Sequence, residues 1–346
     1  MEDVLTNREK EVLKFIVENF IKSAVPVGSR AVSKQSDLSL SSATIRNVMS
    51  DLEEKELIKT PHTSAGRMPT DKGYRYYVNT LMNKAELKSN EINIIKNQIQ
   101  ESLLSKLDDE DFLSETSRIL GRITHQLAVV TQPFLSSGIL EKIEVISLSS
   151  TKLLVIISIK SGYVKTLVLE IDSEIQRSKL ERLTLFLNEH LSGIKLIQIR
   201  ESLGDLLKNF NENEPELLQL FINSVDKIFS EEEKGGNVFI GGAGEVIMQP
   251  EFGDPKNFKN IVNLSEDKNL VLHIFQNTEE NDEEVSIKIG SENLDKKLKD
   301  YSIVCSTYRF GDLKGKIGVI GPKRMNYAKI VSLMEYVSKL ISEIYI

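Results

Sequence analysis

The most constraining feature of the sequence is an amphipathic segment near its start, SSATIRNVMSDLEEKEL, at residues 41–57. Ser41 and Ser42 are residue types that cap the N-terminus of a helix. The apolar residues that follow recur at helical spacing and are Ile45, Val48, Met49 and Leu52. The opposite face carries Thr44, Arg46, Asn47 and Ser50. The segment therefore predicts a helix that buries one face and presents short polar side chains on the other.

Side chains of this kind fit the base edges and phosphates of a DNA major groove. An ordinary amphipathic helix with a solvated polar face has the same pattern, so the helix alone leaves both interpretations open. The neighbouring segments favour the first interpretation, because together they predict a complete DNA-binding architecture.

Two helices are predicted before this segment. Thr6 and Glu9 have the spacing of a capping box, and the apolar residues after them predict a helix over 7–22. The chain then breaks at a proline and a glycine, and Ser29 caps a second helix over 30–35. Three helices in this order, with a tight link between the second and third, form a helix-turn-helix arrangement.

A short hairpin is predicted after the third helix. Residues 57–60 have the pattern of a strand, 61–67 of a turn and 68–70 of a returning strand, which together resemble a wing. For His62, at the tip, a solvent-exposed loop residue is an equally good interpretation. The candidate DNA-binding residues of the helices and the hairpin are Arg30, Ser41, Ser42, Thr44, Arg46, Asn47, Ser50, His62, Thr63 and Arg67.

Charge alone does not identify a nucleic-acid binder. The chain has a formal net charge of −7, whereas residues 1–80 hold 12 lysines and arginines against 11 aspartates and glutamates. A DNA-binding module needs only a local positive face, and an acidic body limits non-specific binding.

Composition argues against several other classes of protein. The single cysteine, Cys305, rules out an internal disulfide, and the four histidines are too scattered to predict a metal site. No apolar run has the length of a membrane span, and the charged start MEDVLTNREKEV does not resemble a secretory signal. We therefore expect a cytoplasmic protein without metal or membrane.

The middle of the chain alternates between helical and strand patterns. A helix over 84–111 carries an apolar stripe, which suits pairing with another helix or a second subunit, or packing on the protein's own body. A second helix is predicted over 112–130. The strands of an antiparallel meander are predicted at 142–149, 152–160 and 163–171, and helices follow at 174–191, 201–210 and 214–231.

Strand patterns return in the last quarter of the chain. They lie at 270–275, 285–290, 302–309 and 316–321, and a terminal helix follows. Strands, then helices, then strands again predict an α+β sheet domain interrupted by an insertion.

Two segments invite a chemical interpretation. The sequence FIGGAGE at 239–245 is a glycine-rich loop of the kind that can cradle phosphate, but it lacks both the dinucleotide fingerprint and the lysine of a P-loop. The acidic residues of 279–284 lack the spacing of a calcium-binding loop. A tight turn and an exposed acidic loop are favoured, so we predict no cofactor and no enzyme; an enzyme that uses the glycine loop is a third hypothesis.

Residues 27–78 and three later blocks resemble one family. The first block reads VGSRAVSKQSDLSLSSATIRNVMSDLEEKELIKTPHTSAGRMPTDKGYRYYV, and the later ones are QPEF (249–252), GSEN (290–293) and YRFGDLKGKIGVIGPKRMNYAKIV (308–331). In this order they resemble the bacterial heat-inducible transcription repressor family HrcA. The middle of the chain matches that family in its order of elements more than in particular residues.

The resemblance implies a division of the chain. It gives a winged helix-turn-helix domain (1–83), a helical linker (84–131), a GAF-like domain (132–173 and 281–346) and an inserted dimerisation domain whose bounds, 174–280, come from the element pattern. It also implies a homodimer that binds the inverted-repeat CIRCE operator of chaperone operons, is released on heating, and depends on the GroE chaperonin. The alternative is a repressor gated by a small molecule bound to the GAF-like domain.

Overall fold

The computed structural model describes residues 5–35, 40–61, 66–104, 109–171, 174–206, 238–277 and 285–344. Their helices are α1 (Asn7–Ser23), α2 (Ser29–Gln35), α3 (Ser42–Glu54), α4 (Asp71–Tyr76), α5 (Ser89–Leu104), α6 (Asp109–Thr124), α7 (Arg177–Leu191), α8 (Leu196–Leu206), α9 (Ala243–Val246), α10 (Pro255–Glu266), α11 (Lys268–Gln276) and α12 (Tyr327–Ile344). Their strands are β1 (Ile58–Lys59), β2 (Met68–Pro69), β3 (Leu127–Thr131), β4 (Leu140–Ser149), β5 (Lys152–Ile159), β6 (Val164–Glu170), β7 (Val238–Gly241), β8 (Ser286–Ile289), β9 (Tyr301–Phe310) and β10 (Leu313–Pro322). The protein is therefore α+β. Within these ranges no helix is long and apolar enough to cross a membrane.

The chain forms two compact units. The first contains 1–130, 239–306 and 317–337, and the second contains 131–238, 307–316 and 338–346.

The first three helices of the first unit follow the predicted order and bounds. The capping box is present: the Glu9 carboxylate accepts the Thr6 N–H at 2.7 Å, and the Thr6 hydroxyl accepts the Glu9 N–H at 3.3 Å. Ala24, in the left-handed conformation, ends α1. The helices share a core whose members include Val12, Leu13, Ile16, Val17, Val32, Ile45 and Leu52. Tertiary burial of these apolar faces therefore holds together helices too short to be stable alone.

The predicted hairpin is present as a two-stranded antiparallel ladder between β1 and β2. The helix after it, α4, begins at the cap Thr70, whose hydroxyl accepts the Gly73 N–H at 3.1 Å. Gly73 lies so close to β1 that a Cβ there would meet the Leu57 carbonyl oxygen at 1.9 Å. Only glycine permits this close approach of α4 to the hairpin.

A five-stranded sheet has the order β7-β3-β10-β9-β8, with β3 and β10 antiparallel and β8 and β9 antiparallel. Its strand β3 corrects the predicted helix over 112–130. The helix α6 ends at Thr124 because His125 takes a left-handed conformation, with φ of 54°. Leu127–Thr131 then forms a strand that is buried throughout. A short apolar run of this kind has no periodicity that separates a buried strand from a helix.

The predicted strand at 270–275 is also wrong, since this run lies in α11. The Asp267 carboxylate caps the helix by accepting the Leu270 N–H at 3.0 Å. Val271 and Phe275, four positions apart, are its buried residues. A spacing of four residues is that of a helix. Together with the Asp267 cap, it explains why this run forms a helix rather than a strand.

The second unit confirms the antiparallel meander, but the meander does not share a sheet with the later strands. The strands β4, β5 and β6 form a separate three-stranded sheet. One face is covered by α7 and α8, whose buried residues include Leu183, Leu187 and Ile199. Leu313 belongs to the same core and Phe310 packs against it, so part of 281–346 contacts the meander, although β9 and β10 pair in the other sheet. The helix expected at 201–210 begins at Leu196, and the one at 214–231 lies outside the described residues.

The glycine-rich segment at 239–245 has a packing role in the first unit. A Cβ on Gly241 would meet the Ser117 carbonyl oxygen at 2.4 Å, and one on Gly121 would meet the Gly242 Cα at 2.4 Å. Gly242 itself has φ of 80° and abuts the Gln126 carbonyl oxygen. These glycines allow β7 to lie directly against α6, which explains the sequence without a bound phosphate.

Replacement of Gly121 by alanine tests this account. A methyl group there overlaps the backbone of Gly242, so we expect Gly121→Ala to lower the free energy of unfolding by more than about 2 kcal/mol. Gly244 is the matched control, since a Cβ there meets no atom within 4 Å and alanine favours its helix by about 0.5–1 kcal/mol. Urea unfolding of the two variants measures the contrast; equal stabilities would contradict it.

Candidate nucleic-acid interface

The helix α3 is anchored from its inner face and from its first turn. Ile45, Val48, Met49 and Leu52 are its buried residues. The N-terminal cap is Ser41, whose hydroxyl accepts the Thr44 N–H at 3.1 Å. The fixed helix therefore presents its outer face as a rigid surface.

That outer face carries Arg46, Asn47 and Ser50, and all three are exposed. Positions 46 and 50 are one turn apart, with 47 beside them, so the three side chains form one patch. Among the described residues none of them has a side-chain hydrogen bond or ion pair. Thr44, at the rim of the patch, is half-buried, and its hydroxyl lies 2.9 Å from the Ser41 hydroxyl. The patch thus holds donors and acceptors that the fold leaves available.

Two serine contacts fix the turn between α2 and α3. The Ser29 and Ser42 hydroxyls lie 3.1 Å apart, and the Ser33 hydroxyl donates to the Leu40 carbonyl at 2.8 Å. Ser42 is half-buried in this contact, so its hydroxyl positions α3 rather than lying free on the outer face. Arg30, on α2, is exposed. The sequence indicated Ser29 only as a helix cap, and it gave no role to Ser33.

The hairpin is joined to the helices at its base. Val27 and Arg67 exchange backbone hydrogen bonds of 2.8 and 2.9 Å. The Arg67 guanidinium donates from Nε to Glu53 at 2.9 Å, so this predicted DNA contact is held in an ion pair. His62 and Thr63, the other predicted hairpin contacts, lie outside the described residues.

Charge divides α3 into two halves. Asp51, Glu53 and Glu54 lie in its second half, whereas its first turn has no acidic residue. The pKa of Glu53 is lowered by a hydrogen bond from the Thr60 hydroxyl and, against some desolvation, by the nearby Arg67. A carboxylate repels phosphate, and the positive end of the helix dipole lies at the N-terminus. The half at 41–50, with Arg30 beside it, is therefore the surface that suits an anionic polymer.

No cluster of three or more histidine, cysteine, aspartate or glutamate side chains could hold a metal ion in the described ranges. The surface just defined consists of neutral polar groups and arginines, which are groups that bind nucleic acid rather than coordinate a cation.

Comparison with known proteins supplies the family. Residues 110–331 match the family model described as the HrcA protein C-terminal domain. The chain belongs to the HrcA family.

Relatives in this family match nearly the whole chain. A heat-inducible transcription repressor HrcA of Chlorobium phaeobacteroides (strain BS1) is 37% identical over 344 residues, which cover 98% of this chain and 97% of the relative. The protein of the same description from Chlorobaculum tepidum is 39% identical over 359 residues, with the same coverage. A crystal structure described as that of a hypothetical protein has a TM-score of 0.57 at 23% identity over 99% of both chains, a likeness of fold alone.

Some residues of the site hold α3 in place, whereas others face outward. We expect substitutions of the first group to lower the stability of the protein and substitutions of the second group to leave it unchanged. We expect Ser41→Ala to lower the free energy of unfolding by about 1 kcal/mol, since the cap hydrogen bond is lost. Ser50→Ala, a matched change on the outer face, should stay within about 0.5 kcal/mol of the unmodified protein. Chemical unfolding of both variants is the measurement, and a larger loss for Ser50→Ala would refute the division.

Proposed function

We propose that this chain is a negative regulator of heat-shock operons whose first 83 residues form a winged helix-turn-helix domain. The observation that carries the proposal is the rigid, unpaired polar patch of Arg46, Asn47 and Ser50 on α3. The names of its relatives, heat-inducible transcription repressors, supply the class of process.

In this proposal the first half of α3 enters the DNA major groove. Asn47 has the donor and acceptor needed to read adenine, and Arg46 has the fork that reads guanine or holds a phosphate. Arg30 contributes a phosphate contact from α2, together with the capped end of α3. The hairpin, with His62 and Thr63 at its tip, adds contacts beside the groove, as wings do.

The proposed operator is an inverted repeat, the CIRCE element, bound by a homodimer in the cytoplasm. Two copies of α3 must reach half-sites about one helical turn apart, so the two-fold symmetry of the protein matches that of the DNA. The five-stranded sheet is assigned to a GAF-like domain. The separate three-stranded sheet with α7 and α8 is assigned to the inserted dimerisation domain, which moves the start of that domain from 174 to about 132.

Release on heating is proposed to follow from folding. A multidomain repressor of marginal stability loses folded population many-fold when a few kcal/mol are lost. The GroE chaperonin is the proposed partner that restores the active fold, so repression weakens when unfolded clients occupy the chaperonin.

Two substitutions test the DNA-binding assignment. We expect Arg46→Ala and Asn47→Ala each to cost about 1–3 kcal/mol of binding free energy on the inverted repeat. Both side chains are exposed, so the melting temperature should be unchanged. The charge-matched control is Arg118→Ala, since Arg118 lies on α6 with 68% of its side chain exposed. A gel shift at fixed salt is the measurement; full operator affinity in both variants would reject the assignment.

A second candidate function, gating by a small molecule, has one supporting observation. A pocket of about 220 Å³ in the first unit is lined partly by Tyr74, Phe252, Tyr301 and Arg324. The Tyr74 hydroxyl is buried and has no hydrogen-bond partner among the described residues, and burial raises its pKa. An aromatic pocket with an unused hydroxyl is the kind of site that binds a small polar ligand.

Thermal unfolding separates the two candidates. With a panel of metabolites, the repressor controlled by folding should show no ligand-dependent rise in melting temperature, and only added chaperonin should raise the yield of operator-binding protein after refolding. A ligand-gated repressor should melt higher with its ligand, by an amount that grows with ligand concentration. A saturable shift that Tyr74→Phe abolishes would favour the second candidate.

A further inference from the structure

The helix α4, which follows the hairpin, is held by two ion pairs in the first unit; α4 supplies the cation of one and the anion of the other. Arg75 donates from Nε and Nη2 to the two carboxylate oxygens of Glu292, at 2.8 and 2.5 Å, and from Nη2 to the Ile287 carbonyl at 2.6 Å. Asp71, one turn earlier on α4, pairs with the Lys323 ammonium at 2.8 Å. The helix thus offers one anion and one cation, and each meets its opposite.

Asp71 makes a second contact that fixes its position. Its other oxygen accepts the Ser291 N–H at 2.9 Å. Gly290, with φ of 54°, leaves room for the carboxylate, since a Cβ there would lie 2.2 Å from it. Burial alone would raise the pKa of Asp71, but the bonds from Lys323 and Ser291 lower it further than burial raises it. The carboxylate is therefore an ionised part of the contact.

Arg324 adds an anchor at the end of α1. It donates to both carboxylate oxygens of Glu251, at 2.5 and 3.1 Å, and to the Ile21 carbonyl at 2.5 Å. Only 13% of its side chain is exposed. Between these charged contacts the rings of Tyr74 and Tyr327 pack with centroids 6.0 Å apart. Charge pairs around a buried aromatic contact favour one orientation over neighbouring ones.

A continuous set of backbone contacts joins α4 to α3. The Thr70 N–H donates to the Leu57 carbonyl at 3.1 Å, and the Leu57 N–H donates to the Leu52 carbonyl, in the last turn of α3, at 2.9 Å. Gly73 packs directly on the same Leu57 carbonyl. The direction of α3 is consequently set by the direction of α4.

We propose that Asp71, Arg75, Glu292 and Lys323 form an orientation clamp that sets the direction of α3 for recognition of both operator halves. This inference rests on the proposed function. Asp71 and Arg75 are positioning residues, since they act through α4 and Leu57 rather than by touching DNA.

The physical reason for a clamp lies in bivalent binding. When the first α3 of a dimer is bound, the second meets its half-site at an effective concentration that depends on how narrowly its direction is held. A rigid connection favours half-sites at one spacing, about one helical turn apart, and disfavours others. A loosened connection leaves each half-site contact unchanged but loses this advantage.

Charge exchange tests the clamp in the full-length chain. The variants are Arg75→Glu, Glu292→Arg and the double variant, with Arg118→Glu as the exposed control on α6. The probes are a half-site duplex, the inverted repeat, the same repeat with about five extra base pairs between its halves, and a scrambled duplex. Fluorescence anisotropy at one salt concentration gives the four affinities.

We expect each single variant to lower affinity for the correctly spaced repeat by at least about tenfold, with half-site affinity unchanged. The double variant should recover part of the spacing preference, because opposite charges face each other again although the hydrogen bond to the Ile287 carbonyl is not restored. Arg118→Glu should behave as the unmodified protein. If the single exchanges unfold the chain, Arg75→Gln is the milder substitution with the same expected direction.

Three outcomes would overturn the clamp. The first is that the single variants retain the spacing preference. The second is that their affinities for the half-site and for the repeat fall in equal proportion, which would indicate damage to the DNA-contacting helix itself. The third is an unmodified protein that does not distinguish the repeat from scrambled duplex, which rejects the proposed function and the clamp with it.

Discussion

Burial of the inner face of α3 is the interaction on which the proposed activity depends. Four apolar side chains enter the core of the first three helices, and each contributes roughly 1.5–3 kcal/mol relative to exposure. Since this burial and the Ser41 cap hold the helix, its outer face contributes little to stability. In the proposed function, the residues on that face contact DNA.

Sequence periodicity was sufficient to predict that helix and the elements around it. The spacing of Ile45, Val48, Met49 and Leu52 identified the buried face, and the capping residues Thr6 and Ser41 located two helix starts. These features lie within the sequence of each helix, so they can be recognised without knowing which other elements pack against it. The available side chains Arg46, Asn47 and Ser50 follow from the same periodicity.

Features that depend on a partner were not predictable in this way. Ser42 and Arg67, whose contacts with DNA stay predictions, also have partners inside the fold: Ser42 lies against Ser29, and Arg67 is paired with Glu53. Nothing in the local sequence shows that these partners lie within reach. The runs at 127–131 and 270–275 differ in outcome for a similar reason, since a short apolar run is a strand or a helix according to its surroundings.

The glycine-rich segment illustrates the same limit in backbone terms. The spacing of Gly241, Gly242 and Gly244 resembles a phosphate-binding loop, yet the first two are needed where β7 lies against α6. A glycine, which has no side chain, allows close approach of either a phosphate or another backbone, so its sequence alone does not show which of the two it accommodates. Here a backbone does.

Four arginines of the first unit show why counting positive residues overestimates a DNA-binding surface. Arg67, Arg75 and Arg324 are each paired with a carboxylate, so their charges are largely neutralised before DNA arrives. To use one of them on a phosphate, the protein would have to leave a carboxylate unpaired beside a polyanion. Arg46 carries no such cost, because no carboxylate is paired with it in the described part of the chain. In the proposed function, Arg46 is therefore available for DNA recognition, while the paired arginines are assigned to positioning α3 and its neighbours.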